Sequence, residues 1–359
     1  MVGAVSLRNF RSYAGLELSL PPGLVLVTGP NGVGKTNLLE ALHFGSQGFS
    51  PRTRAEARLV RFGERAARVG LRGREGDVPV ETEVTIAQGE GKRIRLNGAA
   101  AAGADELRTR LAALVFTPDR LAVVKGGPIV RRTYLDRMLG RVFPPRAGLP
   151  SEYGHALAQR NAALRRAAGR LSSREVLEPW TRQVARLGDE LEQSRAELAR
   201  LLAPGFAERA QEIGLAAARL GYEERGLTFE ELDARLERDL ERGSTGAGPH
   251  LRDVSISARG RDLRTFGSQG EQRMGVLALL LSEALLLAQL RGSAPLLLLD
   301  DVLSELDESR RLNLLAGLPP GAQTIVTATD LTKWPAAAVP AAAHVHVHRE
   351  DDVSMAEAA

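Results

Sequence analysis

The sequence contains no cysteine, which excludes a disulfide framework and any thiol chemistry and fits a reducing compartment. Lysine is almost absent. It stands only at positions 35, 92, 125 and 333, so 44 of the 48 basic residues are arginine. No apolar run is comfortable as a bilayer span, because the most apolar window, Met274–Leu290, carries Ser282, Glu283 and Gln289 and reads as a core helix. The N-terminus has no leader-like pattern: Val2–Phe10 is short, interrupted by Arg8, and reads as a strand. The expectation is a soluble, cytoplasmic protein. With 359 residues, 43% hydrophobic and 26% charged, the chain can bury a large core and form two or three domains.

Two distant stretches carry the chemistry. Gly29-Pro30-Asn31-Gly32-Val33-Gly34-Lys35-Thr36 follows the apolar run Leu24–Val27 and precedes an apolar helix, which is the setting a phosphate-binding loop requires. Glycines let backbone N–H groups turn toward phosphate oxygens, and the helix N-terminus adds positive potential. Lys35 is placed to reach the terminal phosphates and the Thr36 hydroxyl to ligate Mg²⁺. Far downstream, Leu296–Leu299 reads as a buried parallel strand ending in Asp300, an acid placed to hold that Mg²⁺. Asp301 follows, where a base can orient attacking water. Ser268-Gln269-Gly270 opens the long apolar helix and is a second anion site, unsuited to the same phosphates from within one chain.

The pairing resembles the ABC ATPases, whose signature turn acts on the partner subunit's nucleotide. Residue by residue, Ser268 falls on the signature serine, Gly270 on a glycine, Glu271 on the glutamine and Asp307 on the D-loop aspartate. Two sensors are missing. Thr329-Asp330 stands at the switch-histidine position, and Val115-Phe-Thr-Pro-Asp119 occupies the place of the Q-loop, with Gln47 a weak substitute.

Charge is uneven: residues 1–150 hold 23 basic against 13 acidic side chains. The excess gathers in Arg52, Arg54, Arg58, Arg61, Arg65, Arg68, Arg72 and Arg74, a surface able to track a phosphate backbone. A solvated face in an arginine-biased chain is the competing reading. Alternating patterns at Arg68–Arg72, Val80–Ala87 and Arg93–Asn97 predict antiparallel strands, and the Ala-Gly run 98–104 a loop. Helical patterns run from about 129 to 242, with breaks near 144–150, 204–205 and 226. Trp180, Val184, Leu187, Leu191, Ser194, Leu198 and Leu201 form a seam of about three heptads. Gly243–Pro249 reads as a flexible linker, after which Val254–Ala258 returns the chain to the first lobe. His344, His346 and His348 alternate on a strand, either a metal set or a solvent-facing edge, and Glu350–Asp352 reads as a disordered tail.

The expected architecture is α/β: an ABC-type ATPase lobe over 1–118 and 250–359, with parallel and antiparallel sheets around the P-loop helix, and a helical insert over 119–249 without a long coiled-coil arm. Beyond the nucleotide motifs, Leu7–Arg11, Gly34–Leu42, Phe116–Leu121, Val124–Pro128, Arg131–Arg137, Gln159–Leu164, Ser268–Gly270 and Leu298–Asp307 resemble the RecF family of bacterial recombination mediators. That resemblance implies an ATP-dependent DNA-binding protein of gap repair that acts with RecO and RecR to load RecA and supports replication and SOS induction. It implies ATP and Mg²⁺ as cofactors and a nucleoid-associated place in the cytoplasm. The split site implies a head-to-head homodimer closed by ATP, with Ser268 and Gly270 acting in trans, and weak DNA-dependent hydrolysis as a switch. An SMC-like chromosome ATPase and a transporter nucleotide-binding subunit share these motifs. The missing sensors and the long helical insert argue against the transporter, and a seam of only about three heptads argues against the SMC-like protein with its long arms.

Overall fold

The structure, a computed structural model, describes residues 1–169, 174–304, 306–329, 334 and 340–358, with backbone only at Asp105. In chain order, β1 (Val2–Phe10), β2 (Tyr13–Ser19), β3 (Leu24–Thr28), α1 (Lys35–Gln47), β4 (Ala66–Glu75), β5 (Val78–Ala87), β6 (Gly91–Leu96), β7 (Ala99–Ala100), α2 (Ala104–Arg110) and β8 (Ala113–Phe116) come first. Then follow α3 (Ala122–Lys125), α4 (Pro128–Val142), α5 (Leu149–Ala168), α6 (Leu177–Glu212), β9 (Ala218–Tyr222), α7 (Phe229–Ala234), α8 (Leu236–Arg242), β10 (Val254–Ala258), β11 (Arg261–Asp262) and α9 (Leu263–Phe266). The chain ends with α10 (Gln269–Arg291), β12 (Leu296–Leu299), α11 (Glu308–Ala316), β13 (Thr324–Ala328), β14 (Ala343–Glu350) and β15 (Val353–Ala358).

Two compact units result. The first comprises Met1–Leu121, Arg209–Leu215 and Val276–Ala359, and the second Ala122–Glu208 and Ala216–Gly275. The first holds two six-stranded sheets, one antiparallel (β2-β1-β4-β5-β6-β7) and one largely parallel (β15-β14-β3-β13-β12-β8). Leu38, Leu39, Leu42 and Phe44 of α1 share one core with Val69 and Leu71 of the antiparallel sheet and with Val25, Val27, Leu298 and Ile325 of the parallel one. Burying each such side chain contributes roughly 1.5–3 kcal/mol. The four-leucine run is β12, buried at every position, as a central parallel strand must be. The two sheets and α1 are the mixed α/β lobe that the sequence predicts. Among the described residues, α10 is the one helix long and apolar enough to cross a membrane, but its apolar positions are mostly buried inside the fold.

The second unit is not purely helical. The chain from 218 to 222, expected as helix, is a strand that pairs with β10, which also pairs with β11. Val254–Ala258 therefore does not rejoin the sheets of the first unit but completes a three-stranded sheet in the second, which extends to Gly275. Tertiary pairing overrides local pattern here, helped by the left-handed Ala217 at the strand's start. The expected break at Pro204 does not occur: α6 runs through it for 36 residues. Buried Leu202 and Phe206 flank the proline, and their packing outweighs the lost backbone bond. The heptad seam also ends early. Leu201 is exposed while Leu198, Leu202, Phe206 and Ala210 are buried, because a straight helix drifts away from a 3.5-residue repeat.

Gly243–Pro249 is not flexible. Asn161 Oδ1 accepts from Thr245 N and Thr245 Oγ1 at 2.8 and 2.7 Å, and Asp239 Oδ1 accepts from Gly246 N at 3.0 Å. Behind them Arg160, fully buried on α5, donates to Asp239, Thr245 and Thr181. The histidine strand is no edge either. Strand β14 lies between β3 and β15, and Asp351-Asp352 form the left-handed turn of the β14–β15 hairpin rather than a tail. A central strand satisfies both rows of backbone groups, so the fold has a use for this segment that composition does not reveal.

A candidate nucleotide site and a separate signature helix

The Gly29–Thr36 loop joins β3 to α1. Gly29, Gly32 and Gly34 all have positive φ. A Cβ on Gly29 would sit 2.0 Å from the carbonyl oxygen of Val347, and one on Gly34 would sit 2.5 Å from Ser354 Oγ, so β14 and β15 press on the loop's back. The chain's own donors take up the loop carbonyls. Lys35 Nζ donates to Gly29 O at 2.6 Å and Pro30 O at 2.7 Å, and Tyr13 OH donates to Gly34 O at 3.1 Å. Pro30, Asn31 and Gly32 form the exposed rim, while Val33, Gly34 and Lys35 are buried. Burial lowers the Lys35 pKa, and Asp301 and Asp300 oppose that shift.

At the carboxyl end of β12, Asp300 accepts from Thr36 Oγ1 through both oxygens, at 3.0 and 2.9 Å. Thr327 Oγ1 on β13 donates to Asp300 Oδ1 at 2.8 Å and accepts from Asp301 N at 2.8 Å. One hydroxyl thus bridges both acids. Asp301 sits in the left-handed region, φ 47°, which sets its side chain off the strand line. Burial raises the Asp300 pKa, with Thr327 and Thr36 opposing. A buried carboxylate with two hydroxyl neighbours and destabilised charge fits a divalent cation.

One turn into α1, Glu40 is fully buried and collects cations. Arg11 Nε and Nη2 meet its two oxygens at 2.8 Å each, Arg52 Nη1 lies at 3.2 Å, and Ser50 Oγ donates at 2.5 Å. Sequence reading passed over Glu40 and Thr327. Glu40 was within reach, since it stands four residues after Thr36 on the same helix face. Thr327 was not, because only the fold brings β13 beside β12. Of the arginines expected to meet DNA, Arg52 is held by Glu40 and by Asn37 Oδ1 at 3.2 Å, Arg54 and Arg58 are exposed, and Arg61 is half-buried. Gln47 has no part in this site. Its amide donates to Leu111 O at 2.7 Å from the far end of α1, about 18 Å along the helix from Lys35.

Asp307 caps α11, its Oδ1 accepting from Arg310 N at 2.8 Å. Asp330, expected at the switch position, lies outside the described residues. No metal-binding group of three or more His, Asp or Glu occurs among the described residues, and His344 Nε2 instead lies 2.6 Å from Thr28 Oγ1.

The signature stretch belongs to the second unit. Ser268 and Glu271 form a capping box at the start of α10: Ser268 Oγ accepts from Glu271 N at 3.2 Å, and Ser268 N donates to Glu271 Oε2 at 2.9 Å. The Glu271 carboxylate is bonded by both the backbone N–H and the hydroxyl of Ser268. These bonds to Ser268 hold the Glu271 carboxyl below its ordinary range. Nothing lies within 4 Å of a Cβ built on Gly270, so the turn is open there.

Comparison with known proteins bears on the fold and the family. Residues 1–343 match the family model described as the RecF/RecN/SMC N terminal domain. A DNA replication and repair protein RecF from Anaeromyxobacter dehalogenans is 40% identical over 346 residues, 91% of this chain and 92% of that one. Its counterpart from Heliobacterium modesticaldum is 34% identical over 345 residues, 92% of each. The chain belongs to the RecF family. Among solved structures, the recombination mediator RecF with ATP of the RecFOR pathway superposes with a TM-score of 0.85 at 28% identity, covering 99% of this chain and 97% of that one. An SMC head bound to the C-winged helix domain of ScpA reaches 0.62 at 17% identity, which shows the shared ABC-ATPase head fold. The RecF fold here has no long coiled-coil arm among the described residues, where the longest helix is α6.

Proposed function

We propose that the chain is an ATP-gated DNA-binding protein of recombinational repair, in which nucleotide controls assembly of two copies. The observation that carries this reading is the division of labour between the units. The first holds a phosphate loop and acid pair, and the second holds a capped serine turn that opens a long helix. In a two-fold pair, each Ser268 and Gly270 would close over the phosphates held by the partner's loop, which makes the dimer conditional on the terminal phosphate.

Within one copy, Lys35 binds terminal phosphate oxygens, and its bonds to Gly29 O and Pro30 O are exchanged for them. Thr36 Oγ1 and Asp300 hold the cation, and Thr327 orients Asp300 while fixing the backbone of Asp301. Mg²⁺, when bound, supplies the positive charge that phosphoryl transfer needs. Asp301 orients and deprotonates the attacking water, and Asp307 closes the far side of the acidic loop. Hydrolysis is slow and DNA-dependent, because the catalytic set is complete only when two copies meet on DNA. The cofactors are ATP and Mg²⁺. The DNA-facing residues include Arg54, Arg58 and Arg61, while Arg52, tied to Glu40, links that surface to the nucleotide helix. The partners, drawn from the RecFOR-pathway relative and the family, are gapped or junction DNA, RecR and RecO. The protein works in the cytoplasm at the nucleoid and assists RecA loading, replication and SOS induction.

Molecular mass in solution with ADP, with ATP, and with ATP plus DNA tests the core of this reading. A dimer seen only with ATP, and lost in Ser268→Arg, is the expected result. A monomer under every condition refutes the in-trans site.

A further inference from the structure

The basic stretch 52–74 divides into two kinds of arginine. Arg52 and those on β4 have an acidic partner: Arg52 lies 3.2 Å from Glu40, Arg68 2.5 Å from Glu83, Arg72 4.0 Å from Glu17 and Arg74 3.7 Å from Asp77. Arg54, Arg58, Arg61 and Arg65, in the segment before β4, have no ion pair among the described residues. In the middle of that segment stands Phe62, 103% exposed, the most exposed large apolar side chain described.

Phe62 sits at the tip of a closed turn. Glu64 N donates to Arg61 O at 3.0 Å, and Gly63 takes φ 86°, as the third position of a type II turn requires. Both flanks are braced from the neighbouring sheet. Asn9 O accepts from Arg61 N at 2.8 Å while its side chain donates to Glu64 Oε2 at 3.0 Å. Gln88 donates through its amide to Glu64 O at 3.2 Å and through its backbone to Arg65 O at 3.0 Å. Asn9 adopts a left-handed conformation, φ 51°, to do this. The next residues of the same turn tie it to the nucleotide helix, since Arg11 grips Glu40 and also donates to Arg58 O at 3.0 Å.

Single exposed apolar residues are common. A ring that is wholly exposed, held on a braced turn and flanked along the chain by four arginines without ion pairs is a different arrangement, because the fold spends bonds on keeping it outside. Unpaired arginines ask for phosphates. An aromatic face beside them asks for a base, and stacking on one is worth about 1–3 kcal/mol. Bases inside a duplex are covered on both faces, so only an unpaired one offers a free face. We infer that Phe62 stacks on an unpaired base of single-stranded DNA, with Arg54, Arg58 and Arg65 on the adjoining phosphates and Asn9 as the positioning residue for the turn. This rests on the DNA-binding reading above and adds to it a sensor for the single-stranded part of a gap.

The test measures affinity of the full-length protein, with ATP, for a gapped duplex and for a fully paired duplex of equal length. Phe62→Ala should weaken binding to the gapped DNA by about 5- to 160-fold, the equivalent of that stacking energy, and leave the paired duplex unchanged. Phe62→Trp should restore binding, and its fluorescence should be quenched by the gapped DNA alone. Equal affinity of wild type and Phe62→Ala for the gapped DNA overturns the inference, as does an equal loss on both substrates. A changed ATP-dependent dimer mass in Phe62→Ala with unchanged DNA affinity overturns it in favour of a contact between copies. If the wild type binds neither DNA, the DNA-binding reading itself fails, a result distinct from the others. An unchanged melting temperature in Phe62→Ala establishes that the fold is intact.

Discussion

The chain has two glycine-rich stretches of similar composition that differ in what becomes of their N–H groups. In Gly29–Thr36 the protein's own side chains satisfy carbonyls: Lys35 takes Gly29 O and Pro30 O, and Tyr13 takes Gly34 O. In Gly243–Pro249 they satisfy N–H groups as well as carbonyls: Asn161 takes Thr245 N and Asp239 takes Gly246 N, while Arg165, His250 and Arg195 meet Gly243 O, Thr245 O and Pro249 O. A loop whose carbonyls alone are occupied, by cationic or hydroxyl donors, is left with donors to offer an anion. A loop whose N–H groups already meet a carboxylate has none to give. Glycine content permits either outcome, and the side chains that converge from elsewhere decide between them.

The largest effect expected from this contrast is at the closed loop. Arg160→Ala leaves Asp239 buried without its cation and removes donors to Thr181 and Thr245. Breaking such a buried pair costs about 3–5 kcal/mol. Urea unfolding should show that loss, and limited proteolysis should open the chain between 243 and 249. If that segment stays resistant, the arginine is not what holds it.

At the open loop the corresponding change is Asp300→Asn. Burial raises the Asp300 pKa above its unfolded value, so the stability this group contributes in the nucleotide-free protein is fully present below the ordinary carboxylate range and is lost as pH rises through the folded pKa. The asparagine variant should not show that decline. With Mg·ATP at 100 times the dissociation constant, the wild type gains about 2.7 kcal/mol, and the variant should gain none. Thermal shift across a pH series, with and without Mg·ATP, reads both effects. A variant that is still stabilised by Mg·ATP would remove Asp300 from the cation site.

Glycine substitutions sharpen the same contrast within each loop. Gly29→Ala drives a Cβ into the Val347 carbonyl and should cost about 1–3 kcal/mol and most of the ATP affinity. Gly32→Ala meets open space and should cost only the left-handed backbone strain, about 1–2 kcal/mol. Gly246→Ala brings a Cβ to 3.1 Å from Arg235 and Asp239, a milder contact than the 2.0 Å at Gly29, and with no left-handed strain to add it should cost less than Gly29→Ala. Chemical denaturation of the three variants orders them, and a reversed order would refute this packing account.

How much of this was legible depended on whether the information was local. The phosphate loop, β12 and the alternating strands β4 and β5 are written in runs of a few residues, and those elements fold where sequence places them. The acids Asp300 and Asp301 were visible for the same reason. Thr327, which bridges them, was not, because β13 and β12 are neighbours only in the sheet. Strand β9, the unbroken run through Pro204 and the central place of the histidine strand were hidden likewise: each is decided by a partner far along the chain. Asn9 and Glu40 fell between the two cases, since both sat inside recognisable motifs with no visible task until the segment 58–65 was seen to hang from them.

The smallest expected effect is a pH dependence of the closed loop. His250 Nε2 lies 3.1 Å from Thr245 O and Nδ1 2.7 Å from Tyr153 OH, an arrangement that a neutral ring satisfies by donating to the carbonyl and accepting from the phenol. Burial lowers its pKa. Among the charged groups that face it, Arg132 and Arg195 lower it further, while the bond to Thr245 and the charge of Asp239 oppose them. A histidine with a depressed folded pKa contributes stability that is complete above its unfolded value of about 6.5 and is lost as pH falls through the folded one. Cleavage between 243 and 249 should therefore accelerate as pH drops below that range. His250→Gln keeps an amide donor for Thr245 O and an acceptor for Tyr153, and should flatten the profile without moving its neutral end. Among the described residues no histidine hydrogen-bonds to the phosphate loop Gly29–Thr36, so ATP affinity should not follow the same curve. If both loops lose function together as pH falls, the acid sensitivity belongs to the whole fold and the histidine is a bystander.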